Sequence, residues 1–191
     1  MKTAANLDKP RLSARDWEIA ALDLIGEQGV GAVAVETLAR RLGVTKGSFY
    51  WHFQNRDALI QAAVELWEQG DIRTFERSID IIRDPRDKLR ALFRRTRAEI
   101  KSHVLFSELF KAADHPLVGP VMQRVSERRI DFLVDGFQTL GMSPPDALER
   151  ARLTYMSYVG FLQYYQQFPS PQMANEQLDA YVDHVIATLI P

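Results

Sequence analysis

The chain has 191 residues, no cysteine, four histidines and a formal net charge of −1, with 46% hydrophobic residues. That is enough apolar material to bury a core, and the missing thiols exclude disulfides, thiolate catalysis and cysteine-bound zinc. No apolar leader and no run of about 18 apolar residues occurs, which predicts a soluble, cytoplasmic protein with no membrane partner. The charge is uneven: eight Lys and Arg against six Asp and Glu give +2 over residues 1–56, and the remainder carries −3. The N-terminal part is therefore the one expected to meet phosphate.

Residues 1–12 are polar, contain Pro10 and lack periodicity, which predicts a flexible arm. Ser13 followed by Asp16 has the form of a capping box, and Trp17, Ala20, Ala21, Leu24 and Ile25 recur at helical spacing, so a first helix is expected over residues 13–28, closed by Gly29. Residues 36–42 form a second short helix with Leu38, Ala39 and Leu42 inward, and Gly43 supplies a sharp turn into a third over residues 44–53. Asn55 is placed to cap a long fourth helix whose stripe is Ile60, Val64, Trp67, Phe75, Ile79 and Ile82. Asp84-Pro85 breaks that helix and starts a basic fifth over residues 85–102, with Leu89, Leu92, Phe93 and Ile100 inward. Its Arg94, Arg95 and Arg97 read as a solvated face paired with acids. Further helices are expected over residues 104–113, 117–140 (closed by Gly141), 145–168 and 175–190, the last two separated by Pro169-Ser170-Pro171. With no alternating strand pattern, the fold class is all-α.

The chemistry concentrates in Val44-Thr45-Lys46-Gly47-Ser48-Phe49-Tyr50-Trp51-His52-Phe53. A short helix entered through a glycine turn and carrying small polar and aromatic side chains is the layout of a DNA-reading helix. Thr45 sits where its hydroxyl caps the helix or meets phosphate. Lys46 reaches guanine O6 or N7, or phosphate; Gly47 lets the helix approach closely; Ser48 contacts a base; and Trp51 offers apolar contact to a thymine methyl. Phe49 and Phe53 are assigned to the core.

The run from Ala39 to Leu59, with Gly43-Val44, Tyr50, His52-Phe53 and Leu59 at characteristic spacing, resembles the tetracycline-repressor-like (TetR) family of bacterial transcriptional regulators, over residues 13–60. The resemblance implies an N-terminal three-helix helix-turn-helix head joined by a long helix to a helical-bundle body for ligand binding and dimerisation. Domain boundaries follow: an arm over 1–12, a DNA-binding domain over 13–57 with its motif at 34–53, and a regulatory and dimerisation domain over 58–191. It also implies that Tyr50, His52 and Arg56 bond the phosphate backbone. One departure stands out. Where the family often has Thr or Ser to cap the first motif helix, this chain has Val33-Ala34-Val35-Glu36; Ala34 cannot cap, Glu36 repels phosphate unless it points away or accepts from cytosine N4, and Thr37 is left to take part of the role.

Two body features bear on regulation. Leu148, Ala151, Tyr155, Tyr158, Leu162 and Tyr165 recur in steps of three and four, as do Leu178, Val182, Val185 and Leu189. These seams suit a homodimer through the last two helices, or packing within one subunit. The bulky residues Trp67, Phe106, Phe110, Met122, Phe132, Phe137, Met156 and Phe161 line an apolar pocket or make a solid core, and the resemblance favours the pocket. His103, Gln163 and Tyr164 are polar groups able to orient a ligand there. The expectation is a dimeric DNA-binding repressor on a near-palindromic double-stranded operator, released by a small apolar effector, with no cofactor and no metal. A helical protein-interaction module whose helix-turn-helix does not read DNA is the alternative. The histidines His52, His103, His115 and His184 have no metal-ligand spacing and no serine sits in a nucleophile elbow, so an enzyme is disfavoured.

Overall fold

A computed structural model describes residues 12–79, 82–98, 100–168 and 175–190; within these, the side chains of residues 74–79, 93, 95–98, 100–102, 165 and 175 are not described. The expected arm, except Leu12, and the expected roles of Phe75, Ile79, Phe93, Arg95, Arg97, Ile100 and Tyr165 lie outside the described residues. Nine α-helices are present among the described residues: α1 (Ala14–Gln28), α2 (Val35–Leu42), α3 (Lys46–Tyr50), α4 (Arg56–Ile79), α5 (Pro85–Ala98), α6 (Ile100–Lys111), α7 (Gly119–Thr139), α8 (Pro144–Gln167) and α9 (Asn175–Leu189).

Local chemistry sets most of the ends. Ser13 caps α1 in a reciprocal box with Asp16, the Ser13 amide donating to the carboxylate at 2.7 Å. Gly29 ends α1 at φ 80° and leads into a single 3-10 turn, Val30–Ala32, that the sequence did not announce. Asn55 caps α4 by accepting from the Ala58 amide at 2.8 Å, and Asp84 does the same for the Asp87 amide at 3.0 Å before α5. Ser143 accepts from the Asp146 amide at the start of α8.

Three boundaries moved. The fifth helix ends at Ala98 rather than at residue 102, and α6 begins at Ile100. No Gly or Pro marks that change; α6 turns there to pack against α1 and α8, a tertiary decision. The DNA-reading helix is shorter than residues 44–53 and continues to Phe53 as turns, with the Phe53 amide donating to the Phe49 carbonyl at 3.0 Å. In α7 the start shifts to Gly119, where a Cβ would lie 2.5 Å from the Ala113 carbonyl oxygen, so the turn after α6 closes only over glycine.

The core is continuous from head to body. In the head Trp17, Leu24 and Ile25 of α1 meet Leu38, Phe49 and the α4 residues Leu59 and Ile60, all nearly sealed from solvent. In the body α7 and α8 share the most extensive contact, through Met122, Val125, Leu133 and Phe137 on one side and Ala151, Tyr155 and Leu162 on the other. The expected head-body boundary at residue 57 falls in the first turn of α4, so one rigid helix runs from one region into the other. The other joint is α6 on α1, where Leu105 lies 4.0 Å from the place of a Cβ at Gly26.

Candidate nucleic-acid interface

Gly43 in the left-handed region, at φ 68°, closes α2, and the Val44 amide donates back to the Ala39 carbonyl at 2.9 Å. This tight junction holds α2 and α3 as a helix-turn-helix. Phe49 anchors α3: it is sealed from solvent, edge-on to Trp17 at 5.3 Å and stacked on Phe53 at 5.6 Å. With Phe49 and Phe53 inward, the opposite face of α3 and its C-terminal turn is outward. Thr45, Lys46 and Gly47 are exposed, Ser48, His52 and Thr37 half-buried, and Tyr50 and Trp51 remain 62% and 78% accessible. Two large aromatic side chains are thus left open beside the buried rings of Phe49 and Phe53.

Electrostatics refine the face. Lys46 Nζ donates to the Glu36 carboxylate across the α2-α3 turn, and that hydrogen bond holds the Glu36 carboxyl below the usual range. The base-reading candidate is thus partly neutralised by the one acid on the face, a pairing ten residues apart that helical spacing did not foresee. Ala34 sits at the N-cap of α2 without a side-chain bond, as its methyl group requires, and the Thr45 hydroxyl does not cap α3. Arg41 is turned sideways onto Glu27, bonding both carboxylate oxygens.

Arg56, expected at phosphate, makes bonds within the head. Its Nε donates to the Val33 carbonyl at 2.6 Å and another guanidinium nitrogen to the Val30 carbonyl at 3.1 Å. Those carbonyls belong to the 3-10 turn and the extended link before α2, and the Val30 carbonyl also accepts from the Val33 amide at 3.2 Å. Arg56 therefore braces the entry to the motif from the first turn of α4, and its remaining nitrogen faces Asp57 at 3.5 Å.

The body residues divide differently from the expectation. An open cleft of about 520 Å³ lies at the end of α6 and the start of α7, and its walls include Phe110, His115, Met122 and Ser126. Phe110 and Met122 were expected lining residues. Trp67, Phe106 and Phe137 are buried; Phe161 stacks on Tyr181 at 5.0 Å; Gln163 donates to the Ser107 carbonyl at 3.4 Å; and His103 Nδ1 bonds the Tyr158 hydroxyl at 2.7 Å. Met156 and Tyr164, expected in the pocket, are 65% and 66% exposed on the outside of α8 and are not among the walls of this cleft. The residues of the expected dimer seam are placed as follows within one subunit. Ala151, Tyr155, Leu162, Leu178 and Leu189 are buried, and Leu148, Tyr158, Val182 and Val185 are half-buried within the subunit. On a helix of 3.6 residues per turn, burying Ala151, Tyr155 and Leu162 forces Leu153, Met156, Gly160 and Tyr164 to the opposite, exposed side.

Arg94 of the expected solvated face reaches Asp183 at 3.9 Å. No described helix is long and apolar enough to cross a membrane.

Comparison with known proteins agrees with this geometry. Residues 20–73 match the family model "Bacterial regulatory proteins, tetR family". The chain is 50% identical over 46 residues to the tetracycline repressor protein class A from transposon 1721 of Escherichia coli, covering 24% of this chain and 21% of that protein. It is 34% identical over 88 residues to the HTH-type transcriptional regulator AcrR of Shigella flexneri, 46% of this chain and 37% of that one. The matched stretch thus spans well under half of these relatives. Among solved structures, a TetR-family transcriptional regulator from Agrobacterium tumefaciens superposes with a TM-score of 0.78 at 15% identity, over 93% of this chain and 97% of that chain, so the body shares the fold as well. The helix-turn-helix built on Gly43 and Phe49 lies inside the stretch, residues 20–73, over which this chain is similar to bacterial regulatory proteins of the tetR family.

Proposed function

We propose that the chain is a dimeric DNA-binding transcriptional repressor whose α3 face reads a near-palindromic operator and whose body releases DNA on binding a small, mainly apolar effector. The observation that carries the reading is the division of α3: Phe49 and Phe53 are locked in the head core while Thr45, Lys46, Tyr50 and Trp51 stand outward on a rigid support. Such a face fits a major groove, with Lys46 and Ser48 on base edges, Trp51 on a thymine methyl, Gly47 allowing close approach, and Thr37, Thr45, Tyr50 and His52 on phosphates.

The dimer is supported by the outer face of α8, where Leu153, Met156 and Tyr164 are exposed around Gly160, beside Ala180 and Ala187 on the exposed side of α9. Small residues at those points let two helix pairs approach closely. Two heads related by a twofold axis then meet half-sites roughly 34 Å apart or a multiple of that. The effector reading is supported by the cleft at α6 and α7, because α6 walls the cleft through Phe110 and packs on α1 of the head through Leu105. A ligand there shifts the balance only by its differential affinity for the two head arrangements, worth about 1–3 kcal/mol.

The test is binding to the DNA flanking the chain's own gene at two salt concentrations. Sequence-specific binding with a steep salt dependence is expected; Lys46→Ala should cost roughly 1–3 kcal/mol and relax selectivity at one position. If Lys46, Tyr50 and Trp51 are all replaceable without weakening that binding, the motif does not read DNA.

A further inference from the structure

Arg129 of α7 sits in an unusual place for a cation. Its guanidinium lies 4.4 Å from the centre of the Phe106 ring and 5.9 Å from that of Tyr158, and its side chain keeps only 18% of its exposure. One carboxylate answers it, Asp71 of α4, at 2.8 Å. Burial works against the charge, and Asp71 together with Tyr158 and Tyr155 outweighs it, so the guanidinium is held above its usual value. Aromatic walls supply cation-π attraction and a flat apolar floor but no second negative charge. Tyr158, pushed up to about 12 by burial, and Tyr155, also raised by burial, are neutral phenols at physiological pH.

The neighbourhood is a latch between α4 and α7. Glu68 holds Arg124 through two bonds, at 2.6 and 3.2 Å, and takes a longer one from Arg128 at 3.4 Å. Arg128, next to Arg129 in sequence, thus has the longer hold on Glu68. The 520 Å³ cleft is walled by the same two helices. Ser126, in its wall, precedes Arg129 by three residues on α7, and Phe110, also in its wall, follows Phe106 by four on α6, about one helical turn along each helix. Ser126 also meets the Tyr155 hydroxyl at 2.8 Å.

We infer that Arg129 is the anchor for the carboxylate of an effector whose apolar body fills the cleft, and that this carboxylate displaces Asp71 and so unlatches α4 from α7. The inference rests on the effector reading above and names its chemical class: an aromatic or medium-chain carboxylic acid. A planar carboxylate matches the guanidinium fork that Asp71 occupies, and the cleft volume lies within the range of small-molecule sites. The consequence reaches the head because α4 carries Asp71 in its fifth turn and Arg56, the brace of the motif entry, in its first.

The test titrates the full-length protein, without DNA, by calorimetry with phenylbutyrate and decanoate and with their primary amides. The wild type should bind an acid at least tenfold more tightly than the matching amide. In Arg129→Gln that preference should vanish while the weak amide affinity stays. Asp71→Asn, which frees the guanidinium of its competitor, should raise acid affinity severalfold, and it does so in a protein whose arginine is intact, so the prediction survives if Arg129→Gln fails to fold. Equal binding of acids and amides, a preference that persists in Arg129→Gln, no acid binding at millimolar concentration, or no gain in Asp71→Asn would each overturn it. Operator release is measured separately: acids that bind through Arg129 without changing DNA affinity would leave this site standing and remove the effector reading, whereas release by neutral compounds indifferent to Arg129 would do the reverse.

Discussion

The head and the body are both helical and share one continuous core, yet they use their polar residues in opposite ways. In the head, polar and aromatic groups of α3 are turned outward over a small aromatic anchor, and the charged contacts, Lys46–Glu36 and Arg41–Glu27, lie on the surface. In the body, charges cross between helices, Glu68 and Asp71 of α4 against Arg124, Arg128 and Arg129 of α7, and the Asp71–Arg129 pair, with the tyrosines of α8 beside it, is mostly buried. A surface pair contributes little to stability and is free to exchange partners when DNA arrives. A buried pair is costly to break one-sidedly, so it defines a discrete arrangement that can be switched. The difference teaches where recognition and regulation are expected to reside.

The largest effect should come from the head anchor. Phe49→Ala removes the ring that holds α3 to Trp17 and should cost about 3–5 kcal/mol, read as a fall in thermal midpoint. Trp51→Ala, two residues on, removes a ring that is 78% exposed and should leave the midpoint nearly unchanged while weakening operator binding. Equal loss of stability from both would dissolve the division between anchor and reading face.

Next comes the pair of faces on α8. Met156→Asp or Tyr164→Glu, on the outer face, should convert a dimer to folded monomers in sedimentation, whereas Tyr158→Glu forces a carboxylate into the body and should unfold the subunit itself. A wild-type chain that sediments as a monomer at micromolar concentration would exclude the outer face as an interface.

Arg56 separates bracing from DNA contact. Arg56→Ala removes the guanidinium bonds to the carbonyls of Val33 and Val30, the latter keeping only the Val33 amide as donor, and should destabilise the head by about 1–3 kcal/mol. The salt slope of DNA binding should not change, because a brace neutralises no phosphate; a slope lowered by about one would return Arg56 to the phosphate contacts.

The smallest effect is a pH signature in the body. The Tyr158 phenol has its folded value raised to about 12 by burial, so the folded state keeps a proton that the unfolded chain sheds from about pH 10. Stability contributed by the buried neutral phenol is therefore full below pH 10 and lost between about pH 10 and 12. Tyr158→Phe should lack that alkaline loss, seen as a flatter midpoint profile above pH 10; a profile parallel to wild type would mean that the phenol is wet.

Much of the head was legible in the chain because its determinants are local. Ser13-Asp16, Gly29, Gly43 and Asn55 name their turns by side-chain hydrogen bonding or by backbone freedom, and a three- or four-residue period assigns Phe49 and Phe53 inward and Trp51 outward with no knowledge of the rest. The first half of the chain therefore announced its motif. The body gave only its helices. The period in α8 showed a seam but not what covers it, since a stripe on a partner subunit and a stripe on α7 look alike in sequence, and α7 took it. No spacing rule joins Glu68 and Asp71 to arginines more than fifty residues away, or bends Arg56 back onto Val30 and Val33. Those pairings depend on how helices cross, and crossing is decided by the packing of side chains from distant segments; the sequence by itself determined the elements and the reading face, while tertiary structure alone decided which charges meet, which face of α8 is left free, and where the body opens a cleft.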